Sequence, residues 1–287
     1  MRVFGDTRPG GQFLALAIIF VIFFIIAMGI SLVAIVCGAE SDALWLQAVT
    51  QIVCFGGTAF SFAFLFHGKG LAFLHFHGSE EFGGMKVSGV GLLLAALILV
   101  CVIPLSDWLA NLNESWHFPE QLAWLEQQLR DISAMAEELL KKYLLRDSAG
   151  ALIANIAVLA LVPAICEELL FRGALQQVLC KCFKNAHIAI FVTAAIFSLM
   201  HGEVFAFLPR FMRGAVLGYL FYLGRSIWYN ILAHFLNNAI LVVMYFFVAQ
   251  GKIEYGAVDN FNSPWYLAVL GLAAAIVLFR RWREALR

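Results

Sequence analysis

Long apolar runs separated by short polar joins fill most of the chain. They occupy about 12–37, 44–66, 86–106, 148–171, 188–201, 208–223, 226–249 and 264–280. A membrane-crossing helix needs roughly 20 apolar residues, so the pattern predicts eight transmembrane helices, the runs at 188–201 and 208–223 being the shortest. Gly202 and Pro209 punctuate the join between those two and allow a bent or re-entrant arrangement. One segment has a different period. Pro119 suits a first helical turn, and Leu122, Leu125, Leu129, Ile132, Ala136, Leu139 and Tyr143 then recur at alternating spacings of three and four. That stripe predicts an amphipathic helix within 115–146, with Glu126, Arg130, Glu137, Glu138 and Lys142 on its polar face. Such a helix lies on the outer membrane surface or packs on the bundle. The predicted fold is all-α: a polytopic membrane helical bundle of about eight transmembrane helices plus one extramembrane amphipathic helix. Its parts are 1–114 with the N-terminal spans, 115–146 with the amphipathic helix, 147–250 with the spans discussed below, and 251–287 with the last span and a basic tail.

Composition agrees with that reading. Of 287 residues 62% are hydrophobic and 13% charged, with a mean hydropathy of +0.86; a soluble domain carries about 25% charged residues. A formal net charge of zero gives no bias toward nucleic acid. The lipid bilayer is therefore the expected partner. The first apolar run is too long for the core of a signal peptide, and no small-residue cleavage site follows it. In an eight-span arrangement the side holding both termini collects eleven Lys and Arg, including Arg280, Arg281, Arg283 and Arg287 of the tail, against seven on the other. The positive-inside rule then places both termini in the cytoplasm, and the short loops point to a bacterial inner membrane. The six cysteines read as small buried hydrophobes.

Ionisable side chains inside spans are functional candidates by default, and here they cluster. The fourth run ends with Glu167, Glu168 and Arg172 within six residues of a strongly apolar helix. Glu168 and Arg172 stand at i,i+4 with the carboxylate N-terminal, the favourable order for a helical ion pair, while Glu167 lies about 100° around the helix and is left spare. The fifth run ends in Phe197-Ser198-Leu199-Met200-His201, and the seventh contains His234-Phe235-Leu236-Asn237-Asn238. Gathered in a water-filled cavity opening inward, these groups can hydrolyse a peptide bond in two ways. Glu167 acts as general base on a water that His234 orients, with His201 and Asn238 donating to a developing oxyanion; or Glu167, His201 and His234 hold a divalent metal such as zinc. Spacing leaves both open.

Glu167-Glu168-x-x-x-Arg172, Phe197-x-x-x-His201 and His234-x-x-x-Asn238, in that order, resemble the signature of the CPBP family, the CAAX proteases and bacteriocin-processing enzymes also called ABI. The stretch from Phe211 through Gly214 and Gly218 to Ile231 resembles the segment that precedes the third motif. The resemblance covers about 150–245, a third of the chain. It implies an eight-span intramembrane endoprotease related to type II CAAX prenyl proteases, acting on a membrane-associated protein or peptide. It assigns Glu167 as base, His234 as water-positioning partner, His201 and Asn238 as oxyanion hole, and Glu168 and Arg172 as structural support. Family members are often labelled metalloproteases, although a metal-free glutamate mechanism has also been argued for them. The N-terminal third and the 115–146 helix lie outside the signature.

Other readings are weaker. No HExxH or GxSxG occurs, and the six Asp residues are scattered. His75 and His77 hint at a metal but suit an interfacial loop better. A transporter relay would normally show a second copy of the polar block, which the first 150 residues lack. A catalytically idle binding or self-immunity protein is the strongest alternative, disfavoured by the intact set of Glu167, His201, His234 and Asn238.

Overall fold

The computed structural model describes residues 7–40, 43–76, 87–259 and 263–286; His77 and Arg287 lie outside them. Among the described residues nine principal helices follow one another: α1 Pro9–Val36, α2 Leu44–His67, α3 Gly89–Glu114, α4 Ala123–Leu144, α5 Ala149–Phe183, α6 Ala186–Leu199, α7 Val204–Gly224, α8 Ile227–Ala249 and α9 Trp265–Ala285. Seven of them, all but α4 and α6, are long and apolar enough to cross a membrane. The fifth predicted span, α6, has only 14 residues, about 21 Å at helical rise against a hydrocarbon core of about 30 Å.

Local chemistry sets the breaks. Ser88, Ser148 and Asn185 cap α3, α5 and α6 by accepting from backbone N–H groups of the first turn. Lys184 and Arg225 close α5 and α7 in the left-handed conformation, at φ 52° and 49°. Three segments open into wider π-type turns: Gln51–Gly56 in α2, then Ile156–Leu161 and Leu169–Gln176 in α5. Pro163 follows the second of these; its missing N–H and ring disfavour a regular turn before it. Such π segments occur often at functional sites.

Bonds at the helix ends define two opposite faces. On the face of the termini, Ile227 N–H donates to the His75 carbonyl and His75 Nδ1 to that of Arg225 (3.1 Å), tying the segment that follows α2 to the α7–α8 turn. His75 lies in a turn, as a loop residue was expected to, but it is buried there at a backbone φ of 60° and acts as an interior staple. On the other face, the buried Asn113 at the end of α3 donates to the Val204 carbonyl (3.2 Å) and accepts from Leu208 N–H (2.7 Å), holding the start of α7.

The amphipathic α4 lies on this second face, between the end of α3 and the start of α5. Pro119 is the cap of a short 3₁₀ turn, Glu120–Leu122, and not part of the α-helix; the six-turn helix begins at Ala123. A clasp fixes its start: Glu126 accepts from Phe118 N–H (2.7 Å), Arg130 Nε (2.9 Å) and His117 Nδ1 (2.9 Å), and Arg130 covers the Phe205 ring. The Phe118 N–H above all, then Arg130 and His117, hold the Glu126 carboxyl down at about 2. A depressed acid stabilises the fold above its ordinary titration range, so the clasp is lost only as pH falls toward 2. At the other end Tyr143 and Leu144 are buried, while Ile132 and Met135 between the two anchors stay exposed.

Small residues allow close packing where the site is built. α7 carries Gly214 and Gly218 one turn apart against α6; a Cβ on Gly214 would stand 3.2 Å from Ala194, and one on Gly218 2.7 Å from Ile190. Small-xxx-small spacing of this kind lets membrane helices touch backbone to backbone. Of the six cysteines only Cys54 and Cys166 are buried and Cys37 is exposed, so the expectation of six buried thiols holds for two.

Candidate active site

Glu167 and Glu168 are consecutive, so their side chains leave α5 in different directions. Glu168 points into the bundle. It is fully buried and accepts from Arg172 Nη1 (2.7 Å) and His234 Nδ1 (2.8 Å). Arg172, also fully buried, sends Nη2 to the Gly214 carbonyl (3.0 Å), and Gln176 one turn on does the same to Gly218 (3.0 Å). The glycines that bring α7 close to α6 thus also offer the carbonyls that hold α5. The expected Glu168–Arg172 pair is present, and it does more than expected: its carboxylate also fixes His234.

Glu167 points the other way, into a cavity of about 450 Å³. Its Oε1 accepts from Gln51 Nε2 (3.1 Å), and its Oε2 lies 3.9 Å from His234 Nε2. His234 donates Nδ1–H to Glu168, so Nε2 carries the lone pair of the neutral ring. A water can therefore give one proton to each of two acceptors, Glu167 and His234, with its own lone pairs free. His201 and Asn238 line the same cavity. Asn238 Oδ1 accepts from Asn237 (3.1 Å), and its amide N–H groups have no other protein partner among the described residues. His201 Nδ1 is 2.8 Å from the Phe197 carbonyl. A carbonyl only accepts, so Nδ1 holds the proton and Nε2 of the neutral ring is an acceptor.

The four candidates come together in one cavity, but they do not form a metal cage. Among the described residues no three His, Cys, Asp or Glu side chains gather as ion ligands. The Phe197 ring packs against both histidines, 4.8 Å from His201 and 6.2 Å from His234. The conditional set of Glu167, His201 and His234 is thus not gathered as a three-ligand group among the described residues.

The cavity also faces the unexpected way. From Glu167 and His234 its walls run along α5 to Pro163 and Leu159, along α8 to Asn238 and Val242, and along α2 to Gln47, all toward the face of α4. Leu139 and Tyr143 of α4 lie across that end. It is the face opposite the termini, so cytoplasmic termini and a cavity opening inward are incompatible. Sequence reasoning also missed several polar lining residues. Gln51 is a lone amide in an apolar run, with Gln47 one turn before it. Arg210 and Arg213, within the run at 208–223, lie inside α7 and line the cavity.

The family of type II CAAX prenyl endopeptidases, Rce1-like, matches residues 149–240. Over this segment, about a third of its length, the chain is similar to that family. Rce1-like proteins are proteases, and the match carries membrane peptide hydrolysis as the general activity. The Rce1-like segment supplies Glu167, Glu168, Arg172, His201, His234 and Asn238; α2 with Gln51, and α4, lie outside it. No curated protein and no solved structure matches the chain.

Proposed function

We propose that the protein is an intramembrane endopeptidase that cleaves a membrane-associated protein or peptide with a water activated by Glu167. The carrying observation is the division of labour between adjacent carboxylates: Glu168 is consumed by Arg172 and His234, while Glu167 faces the cavity beside the free Nε2 of His234. Glu167 takes the proton of the attacking water and returns it to the leaving amine. His234, oriented by Glu168, positions that water. Asn238 donates to the tetrahedral oxyanion; His201 adds a second donor only as an imidazolium, with both nitrogens protonated. With both termini in the cytoplasm of a bacterial inner membrane, substrate enters from the opposite face, past α4.

Membrane proteomics on cells carrying wild type or Glu167→Ala at matched abundance tests this reading. New peptide ends confined to wild type are expected and would name the substrate. Identical peptide ends with both proteins folded would move the assignment to a binding or immunity role.

Gln51 is a positioning residue in this scheme, since it holds the Glu167 carboxylate from outside the Rce1-like segment. Gln51→Leu removes one hydrogen bond to a charged group, worth about 1.5–3 kcal/mol, and should lower kcat roughly tenfold or more with KM little changed. Gln51→Asn should recover part of that loss. An unaltered kcat in Gln51→Leu would show that the contact does not position the base.

A further inference from the structure

Beyond the hydrolytic residues, the cavity wall holds an excess of positive charge. Arg210 and Arg213 stand at i,i+3 on α7 and both line the cavity. Arg210 is matched: its Nη2 donates to Glu203 Oε2 at 2.6 Å, although its Nη1 is buried with no partner. Arg213 is not matched. Its one hydrogen bond among the described residues is a long one, Nε to the Pro209 carbonyl at 3.4 Å, and it makes no ion pair among them. Both Nη groups are left without a partner among the described residues. Charged side chains in apolar spans normally pair with one another or mark a substrate path, and a half-buried guanidinium without an acid is costly until an anion arrives.

We propose that Arg213, with Arg210 beside it, is a carboxylate-binding subsite for the substrate. This rests on the protease reading and adds what that cavity selects. A guanidinium fork matches a planar carboxylate with two parallel hydrogen bonds. The charge balance favours a monoanion: Glu203 neutralises Arg210, leaving one cation, and Glu167 and Glu203 on the same wall would repel a dianion such as a phosphate. The rest of the lining, including Leu139, Leu140, Leu217 and Leu241, suits an apolar neighbour to that carboxylate. Two sources supply the group in a peptide: its C-terminus, or an Asp or Glu side chain.

The test is binding without turnover, on the full chain in lipid nanodiscs. N-octanoyl-leucine and its amide report a C-terminal carboxylate; N-octanoyl-aspartic acid α-amide and the matching asparagine compound report a side-chain one. Wild type should bind at least one acid about tenfold more tightly than its neutral twin, Arg213→Gln should bind each pair equally, and Arg213→Lys should retain part of the gap. A gap for leucine alone identifies the C-terminus as the source; a gap for aspartate as well extends the subsite to side chains, and both outcomes support it. No gap in wild type overturns the proposal without reference to any variant, and so does a full gap persisting in Arg213→Gln. Because the readout is binding and not turnover, failure to find Glu167-dependent proteolysis would count against the protease reading and leave the binding result standing.

Discussion

Glu167→Gln is expected to lower kcat on the substrate found by proteomics by about 10²–10⁴-fold, the usual worth of a general base. The substitution is nearly isosteric, and the new amide oxygen can still accept from Gln51, so the cavity keeps its shape while losing its proton acceptor. Its neighbour gives the control. Glu168 does not line the cavity, and its work is to accept from Arg172 and His234; in Glu168→Gln the amide oxygen can still accept from His234 Nδ1, so activity should fall less. His234→Ala should approach the Glu167→Gln defect, because the water loses one of its two acceptors. Purified protein in nanodiscs, assayed for kcat and KM with folding checked by thermal melt, separates these cases. Wild-type turnover in Glu167→Gln, or a Glu168→Gln protein the more crippled of the two, would reverse the assignment of the carboxylates.

Hydrophobic runs made most of this architecture legible, because a span is an extreme of composition that few other structures share. The amphipathic α4 was equally plain from its three-four spacing. Motif order brought Glu167, His201, His234 and Asn238 forward as one group, and all four line the same cavity. What stayed hidden depended on contacts between distant segments. Gln51 carries no motif; it matters only because the first π-type turn of α2 sets it against α5, 116 residues away. Periodicity says nothing about which helix ends a cavity opens between, so its direction emerged from packing alone. Arg210 and Arg213 fall inside the run at 208–223, but the sequence pattern does not say which face of that helix they occupy; the 3₁₀ turn Val204–Ala206 starts the helix before them. The sharing of the Glu168 carboxylate between an i,i+4 partner and a histidine 66 residues away was half visible: local spacing revealed the first bond and could not reveal the second.

That shared carboxylate leads to the largest expected effect on stability. Arg172→Met should cost about 3–5 kcal/mol, the penalty for stripping a buried charge of its partner. Arg172 and Glu168 are both fully buried, and water cannot replace the lost guanidinium. The same change removes the donor to the Gly214 carbonyl and a cation set 5.0 Å from the centre of the Phe197 ring, so the α5–α7 junction loosens as well. Most of the cost should nonetheless come from Glu168, and a double variant isolates it. Glu168→Gln with Arg172→Met leaves no unpaired charge at this pair and keeps an acceptor for His234, so it should regain a substantial part of the lost stability despite changing one residue more. Equilibrium unfolding of the four proteins in mixed micelles gives the coupling directly. If Arg172→Met is as stable as wild type, or the double variant is worse than the sum of the singles, the pair is not what anchors α5 and His234 is oriented by other means. If the double variant is rescued and still cleaves substrate, the buried ion pair serves to hold His234 toward Glu167, and the chemistry needs the geometry of Glu168 more than its charge.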